Sequence, residues 1–194
     1  MKKYILTLLI IFNVGCVHNN FIDYNSLNTK YFKGSYDDRY IPFDNLIAKS
    51  YTFLEYCYWS NKYHNYRNKY NISDNFVFRA NNVIINGNGE LRTKNLGQFN
   101  YGNYFEIPEG SKLIIGNNVH ISKYVTIYNA RYDDDTFIRT GEIKTFNSTT
   151  IIGDNVFIYP HVHIDGGVTI GDNVVILANT YIDQDIPNNT IYRG

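Results

Sequence analysis

The stretch Ile152-Gly-Asp-Asn-Val156-Phe-Ile158-Tyr-Pro-His-Val162-His-Ile164-Asp-Gly-Gly-Val168-Thr-Ile170-Gly-Asp-Asn-Val174-Val-Ile176-Leu-Ala-Asn-Thr180-Tyr-Ile182 has isoleucine at every sixth position. Four places after the first four of these stand Val156, Val162, Val168 and Val174, and after the fifth Thr180. A period of six fits neither a helix nor an uninterrupted strand. It fits a short strand followed by a corner. Three such units close one triangular coil of about eighteen residues. The isoleucines point into the prism and the valines pack near its corners. Gly-Asp-Asn fills corners that want positive φ and side-chain-to-backbone hydrogen bonds. Stacked coils bury a continuous apolar core, whereas one coil alone could not offset the entropy of its own ordering.

The pattern extends upstream. Ile115, Ile121 and Ile127 keep the spacing, with Val119 and Val125 between them, and Ile72, Phe78 and Ile84 keep it more weakly. Residues 85–113 are off register, which predicts irregular coils or an insertion. The solenoid therefore spans 72–194. Between Ile127 and Ile152 the repeat fails, so segment 128–150 is expected to leave the prism as an excursion loop. Long excursions from a rigid scaffold are frequent carriers of function.

The remaining sequence reads differently. Met1-Lys2-Lys3 followed by apolar Tyr4 to Val14 has the proportions of a signal segment and is too short to span a bilayer. Gly15-Cys16 follows, so residues 1–17 read as a signal-like or lipoprotein-like segment, with Cys16 as the lipid anchor of an exported protein. If the segment is not a signal, the protein is cytoplasmic. Residues 18–71 read as an irregular and helical region. Within it Asp44 is a candidate N-cap, and Leu46, Ile47, Tyr51, Leu54 and Tyr58 predict a helix over about 45–60. Eighteen basic residues balance eighteen acidic ones, so charge points to no nucleic-acid partner. Aromatic residues make up 16% of the chain, and the tyrosines between Tyr51 and Tyr70 read as packing surface before they read as a stacking platform. With only two cysteines and no Cys/His grouping at zinc spacing, neither a disulfide framework nor a metal site is expected.

Several motifs carry a family resemblance. Lys112-Leu-Ile-Ile-Gly-Asn-Asn-Val-His-Ile121, Ile151-Ile-Gly-Asp-Asn-Val-Phe-Ile158, Gly167-Val-Thr-Ile-Gly-Asp-Asn173 and Asp185-Ile-Pro-Asn-Asn-Thr-Ile191 resemble coils of the hexapeptide-repeat acyltransferases, in particular the sugar and polysaccharide O-acetyltransferases. The likeness covers about 105–194 and, more weakly, the residues from 72. It implies an all-β fold, the left-handed parallel β-helix, behind an N-terminal helical and irregular segment. It also implies a homotrimer with acetyl-coenzyme A in a cleft between prisms. A loop histidine would then act as general base on a sugar hydroxyl. Ala178, Asn179, Gln184 and Arg193 fall where the coenzyme would run. Leu177 and Asn179 replace glycines of the family pattern, and Gln184 replaces a lysine.

The excursion contains no histidine, and Ala130 or Tyr132 stands where one is expected. Catalysis is then reduced or lost unless another residue supplies the base. His161 and His163, which flank inward-facing Val162, are candidates, as is Asp133 in the Asp133-Asp134-Asp135 run. The first function class is thus an acetyl-coenzyme A-dependent O-acetyltransferase-like protein acting on a sugar or surface glycan. The second is a non-catalytic, exported or lipid-anchored β-helix that serves as a scaffold or binds glycans.

Overall fold

A computed structural model of the chain describes residues 46–194. The signal-like segment 1–17 with Cys16, the stretch 18–45 and the cap at Asp44 lie outside the described residues. The chain divides into two units, 1–64 and 65–194.

Helix α1 runs Leu46–Tyr70, past the expected end near residue 60. Asn61 to Tyr70 contains neither Gly nor Pro, and Tyr63, Tyr66 and Tyr70 follow at helical spacing. Leu54 and Tyr58 of the expected apolar stripe are exposed, whereas Tyr63 and Tyr70 are buried. In the first unit Trp59 packs its ring 5.6 Å from that of Tyr63, and the Lys62 ammonium lies 4.9 Å from the indole centroid. No described helix is long and apolar enough to cross a membrane.

In the second unit, the last turn of α1 closes the first coil. Arg67 donates to the carbonyls of Ser73 and, at 2.6 Å, Phe76, while the Tyr66 hydroxyl accepts the Ile85 amide at 3.2 Å. Terminal coils of a solenoid need such a cap to satisfy an otherwise open edge.

Beyond it stands a left-handed parallel β-helix with three faces. Face A carries strands Phe76–Phe78, Gly97–Phe99, Val119–Ile121, Phe157–Ile158, Val175–Ile176 and Ile191–Tyr192. Face B carries Ile84–Asn86, Tyr104–Glu106, Thr126–Tyr128, His163–Asp165 and Tyr181–Ile182. Face C carries Glu90–Thr93, Lys112–Ile115, Thr149–Ile152 and Thr169–Ile170, extended by a bridge from Ile170 to Ile186. Inward columns run Phe78, Phe99, Ile121, Ile158, Ile176 on A and Ile85, Phe105, Ile127, Ile164, Ile182 on B. All six repeat isoleucines are buried.

The early coils fill the same positions with phenylalanine, and the Phe99 and Phe105 rings stand 5.0 Å apart. That exchange hides the repeat upstream. The expected register also slips once: Ile85 points inward and Ile84 outward, because the corner before face B holds one extra residue there. Residues 85–113 are true coils with widened corners at Gly87–Gly89 and Pro108–Gly110.

Corners between faces C and A repeat one chemistry. Asn118, Asn155, Asn173 and Asn189 adopt φ of 56°, 56°, 57° and 58°. Their side-chain amides form a ladder, each Nδ2 donating to the Oδ1 of the next coil at 3.0–3.1 Å. One residue earlier, side-chain oxygens of Asp154, Asp172 and Asn188 accept the backbone amides of Asn117, Asp154 and Asp172 at 2.7–2.8 Å. A Cβ on Gly153 would lie 2.7 Å from the Gly171 backbone of the next coil, so these corners exclude a side chain there.

Asn155→Ala, which loses both the ladder and the residue type that tolerates φ of 56°, is expected to lower unfolding stability by about 1–3 kcal/mol. Asn155→Gly should cost less, because only the ladder is lost. Urea unfolding of the two variants checks this order.

Candidate active site

The excursion leaves the prism at Asn129 and returns at Ser148; Tyr128, Thr149 and Thr150 remain strand residues. It is an antiparallel ribbon, Ala130–Tyr132 with Thr145–Asn147, topped by helix α2 (Asp134–Thr140). A buried polar cluster holds its base. Asn129, fully buried, donates to the Lys112 carbonyl at 2.6 Å. Its Oδ1 accepts from Ser148 Oγ at 2.6 Å and Thr150 Oγ1 at 2.7 Å. Thr150 Oγ1 in turn accepts the Gly167 amide at 3.0 Å. Each buried polar group thus has a partner, as its burial demands. The loop carries exposed apolar side chains at Phe137, Ile138, Ile143 and Phe146.

Asp133 sits at the N-terminus of α2 and caps it. Its carboxylate accepts the Thr136 amide at 2.9 Å and the Thr136 hydroxyl at 2.6 Å. These two bonds hold its pKa below the usual carboxylate range. Such a group is a weaker base than a free carboxylate.

The two histidines occupy different places. His161 lies on the corner between faces A and B with φ of 60°, where other coils place Asn82, Gly102 and Asn179. Its ring is exposed and stacks 5.0 Å from that of Tyr124. His163 lies on face B itself, half-buried. Its Nε2 is 3.2 Å from Asp165 Oδ1, and its ring stacks 5.3 Å from that of Tyr181, one coil on. The Tyr181 hydroxyl donates to Asp165 Oδ2. Asp165 therefore holds both rings, one by each oxygen. A carboxylate only accepts, so Nε2 carries a proton, and in the neutral ring Nδ1 keeps a lone pair.

Asp165 is the functional candidate that the sequence pattern did not reveal. Its only signal is the two-residue spacing from His163, which puts both on the outer face of a strand. Tyr181 is pushed up to about 12, first by its bond to Asp165, then by burial and by the charges of Asp165, Asp183 and Asp134. The Tyr132 hydroxyl, 2.8 Å from that of Tyr128, places the excursion beside this face.

Ala178 and Asn179 are exposed at the same corner as His161, and the Asn179 amide donates to the Pro160 carbonyl at 3.1 Å. Arg193 follows Tyr192, which pairs with Ile176 just before that corner. Gln184 sits on the next corner, donating to the Tyr192 hydroxyl at 3.1 Å. Among the described residues no three His, Cys, Asp or Glu group as metal ligands.

The profile of the bacterial transferase hexapeptide family (six repeats) matches residues 149–184. Residues 149–184 are thus hexapeptide repeats. That match contains His161, His163, Asp165 and Tyr181. A hexapeptide-repeat-containing acetyltransferase from Vibrio cholerae O1 biovar eltor, complexed with acetyl coenzyme A, is 24% identical, covering 68% of this chain and 70% of its own, with a TM-score of 0.48. A maltose O-acetyltransferase from Clostridium difficile 630 is 34% identical, covering 61% of this chain and 58% of its own, with a TM-score of 0.41. No curated protein matches the sequence significantly.

The lowered pKa of Asp133 fixes the sign of a pH effect. Its depressed value means the α2 cap is fully present above the ordinary carboxylate pKa and is lost as pH falls through the folded value. The protection of the Thr136 amide against hydrogen exchange, taken relative to the intrinsic rate at each pH, should therefore be present at neutral pH, fall in acid, and be absent at every pH in Asp133→Ala.

Proposed function

We propose that the protein is an acyltransferase that moves the acetyl group of acetyl-coenzyme A to a hydroxyl of a sugar or surface glycan. The observation that carries this reading is the His163–Asp165 pair on face B, inside the matched hexapeptide repeats and beside the excursion. The donor is the one implied by the resemblance of residues 105–194 to sugar O-acetyltransferases.

In this reading His163 does the work assigned elsewhere to a loop histidine. Its Nδ1 takes the proton of the acceptor hydroxyl as that oxygen attacks the thioester carbon. The carbon–sulfur bond breaks, and the imidazolium returns its proton to the departing thiolate. Asp165 keeps the proton on Nε2, holds the ring in place and stabilises the transient positive charge. Ala178, Asn179, Gln184 and Arg193 lie on the coils that follow and would line the donor's path, with the Arg193 guanidinium available to phosphate oxygens. The exposed Phe137, Ile138 and Ile143 of the excursion support burial against a neighbouring copy, as in a homotrimer.

Thiol release from acetyl-coenzyme A with a panel of soluble sugar acceptors tests the activity. His163→Gln should lower kcat by about 10²-fold or more, while the thermal shift induced by coenzyme A is kept. Asp165→Asn should also lower kcat, and His161→Ala should leave it within a few-fold. Full activity in His163→Gln, or no coenzyme-induced thermal shift in the wild-type protein, overturns the reading. Light scattering of the full chain should give three times the chain mass of 22.6 kDa. A monomer contradicts the assembly.

A further inference from the structure

The three faces of the prism present different chemistry outward. Along face A the outward column runs Val77, Gln98, His120, Phe157, Val175 and Ile191, which is mostly apolar. Face C mixes charges that pair among themselves: Glu90 contacts Arg92, and also Lys112 at 3.5 Å. Face B pairs aromatic rings with carboxylates. One outward column runs Tyr104, Thr126, His163, Tyr181, and the neighbouring one Glu106, Tyr128, Asp165. Coils repeat at about 4.8 Å, so these side chains form one continuous stripe. The excursion borders it through Tyr132, whose hydroxyl is 2.8 Å from that of Tyr128 and whose ring stacks on it at 6.1 Å.

The direction of the hydrogen bonds matters more than their number. Tyr104 donates to Glu106 Oε2, which also accepts Asn86 Nδ2 at 2.8 Å. Tyr181 and the His163 Nε2–H both donate to Asp165. Tyr104, His163 and Tyr181 thus spend their donors on the stripe's own carboxylates, and Tyr128 shares a hydrogen bond with Tyr132. The stripe turns outward the remaining lone pairs of two carboxylates, the lone pairs of tyrosyl oxygens and the faces and edges of rings. None of the side chains in the two columns is a lysine or arginine. The charged groups hydrogen-bonded to its tyrosines are carboxylates, Glu106 to Tyr104 and Asp165 to Tyr181.

We propose that face B, from Tyr104 to Tyr181, is the acceptor platform, and that it selects saccharides free of acidic groups, whether neutral or amine-bearing. Sugar hydroxyls and ammonium groups are donors and match a surface of acceptors. The C–H faces of a pyranose pack on tyrosyl rings. Uronates, sulfated and phosphorylated sugars bring anions against Glu106 and Asp165, where like charges repel and neither column holds a guanidinium or ammonium. This specificity rests on the acyl-transfer reading for its purpose, but binding alone suffices to test it.

Saccharide binding by the full chain is measured by saturation-transfer NMR and calorimetry without any acyl donor. The probes are malto-oligosaccharide, chitosan oligomer and oligogalacturonate of equal length. The neutral and amine-bearing probes should bind, with oligogalacturonate about tenfold weaker or more at low salt. Tyr181→Ala should weaken the neutral probe several-fold, and Glu106→Gln should narrow the gap between chitosan and galacturonate oligomers. The Gln variant keeps shape and folding and serves as the control if Tyr181→Ala misfolds. Galacturonate binding as tightly as the others, no binding of any probe, or a gap unmoved by Glu106→Gln overturns the inference. Binding in the expected order without acetyl transfer to any bound sugar refutes the acyl-transfer reading and leaves this one standing. Acetyl transfer that runs fastest on an anionic sugar does the reverse.

Discussion

The fold depends on what happens at the corners between faces C and A. A triangular coil needs a reversal that costs an ordinary L-residue about 1–2 kcal/mol at left-handed φ. Asn118, Asn155, Asn173 and Asn189 accept that conformation and offset it by linking to one another along the axis. The aspartate or asparagine before each ties the same corner to the coil beside it. Corner geometry thereby sets the stacking register, and register puts every sixth isoleucine in the core. Slipping one strand by a residue would turn its apolar column to solvent.

That rigidity also explains where irregularity is allowed. Three passages from face B to face C, Ile85 to Thr93, Phe105 to Ile115 and Ile127 to Ile152, are longer than a hexad, whereas Ile164 to Ile170 keeps the period of six. The asparagine ladder belongs to the other corner and is undisturbed. The excursion is the extreme of this tendency. Its base is held by Asn129, Ser148 and Thr150 rather than by apolar packing, so it rises beside face B in one orientation. The same corner thus brings Tyr132 beside Tyr128, on the stripe that holds His163, Asp165 and Tyr181.

Much of this was legible in the sequence. The isoleucine period names its own core because only β-branched and apolar side chains fit the inner faces, and positions 152–182 never slip. Upstream the signal fades for a physical reason: Phe78, Phe99 and Phe105 do the same job with other side chains, and one extra corner residue moves the inward position from Ile84 to Ile85. The length of α1 was missed because its buried stripe is tyrosine, which reads as polar. Asp133 reads in the sequence as a candidate base, yet the threonine three residues on makes it a helix cap. Asp165 and Asn129 were invisible for a common reason. A polar residue beside a strand looks solvated until its partner is known, and the partners Tyr181, Ser148 and Thr150 come from another coil or from beyond the loop.

The account places chemistry on a flat face of the prism, through a histidine that the coil itself supplies. A crystal structure of the protein with coenzyme A and a neutral oligosaccharide tests this most directly. The account predicts a sugar hydroxyl about 3 Å from His163 Nδ1, with the coenzyme sulfur on the same side of the prism. A sugar or sulfur seated away from face B, with His163 still bound only to Asp165, would contradict it.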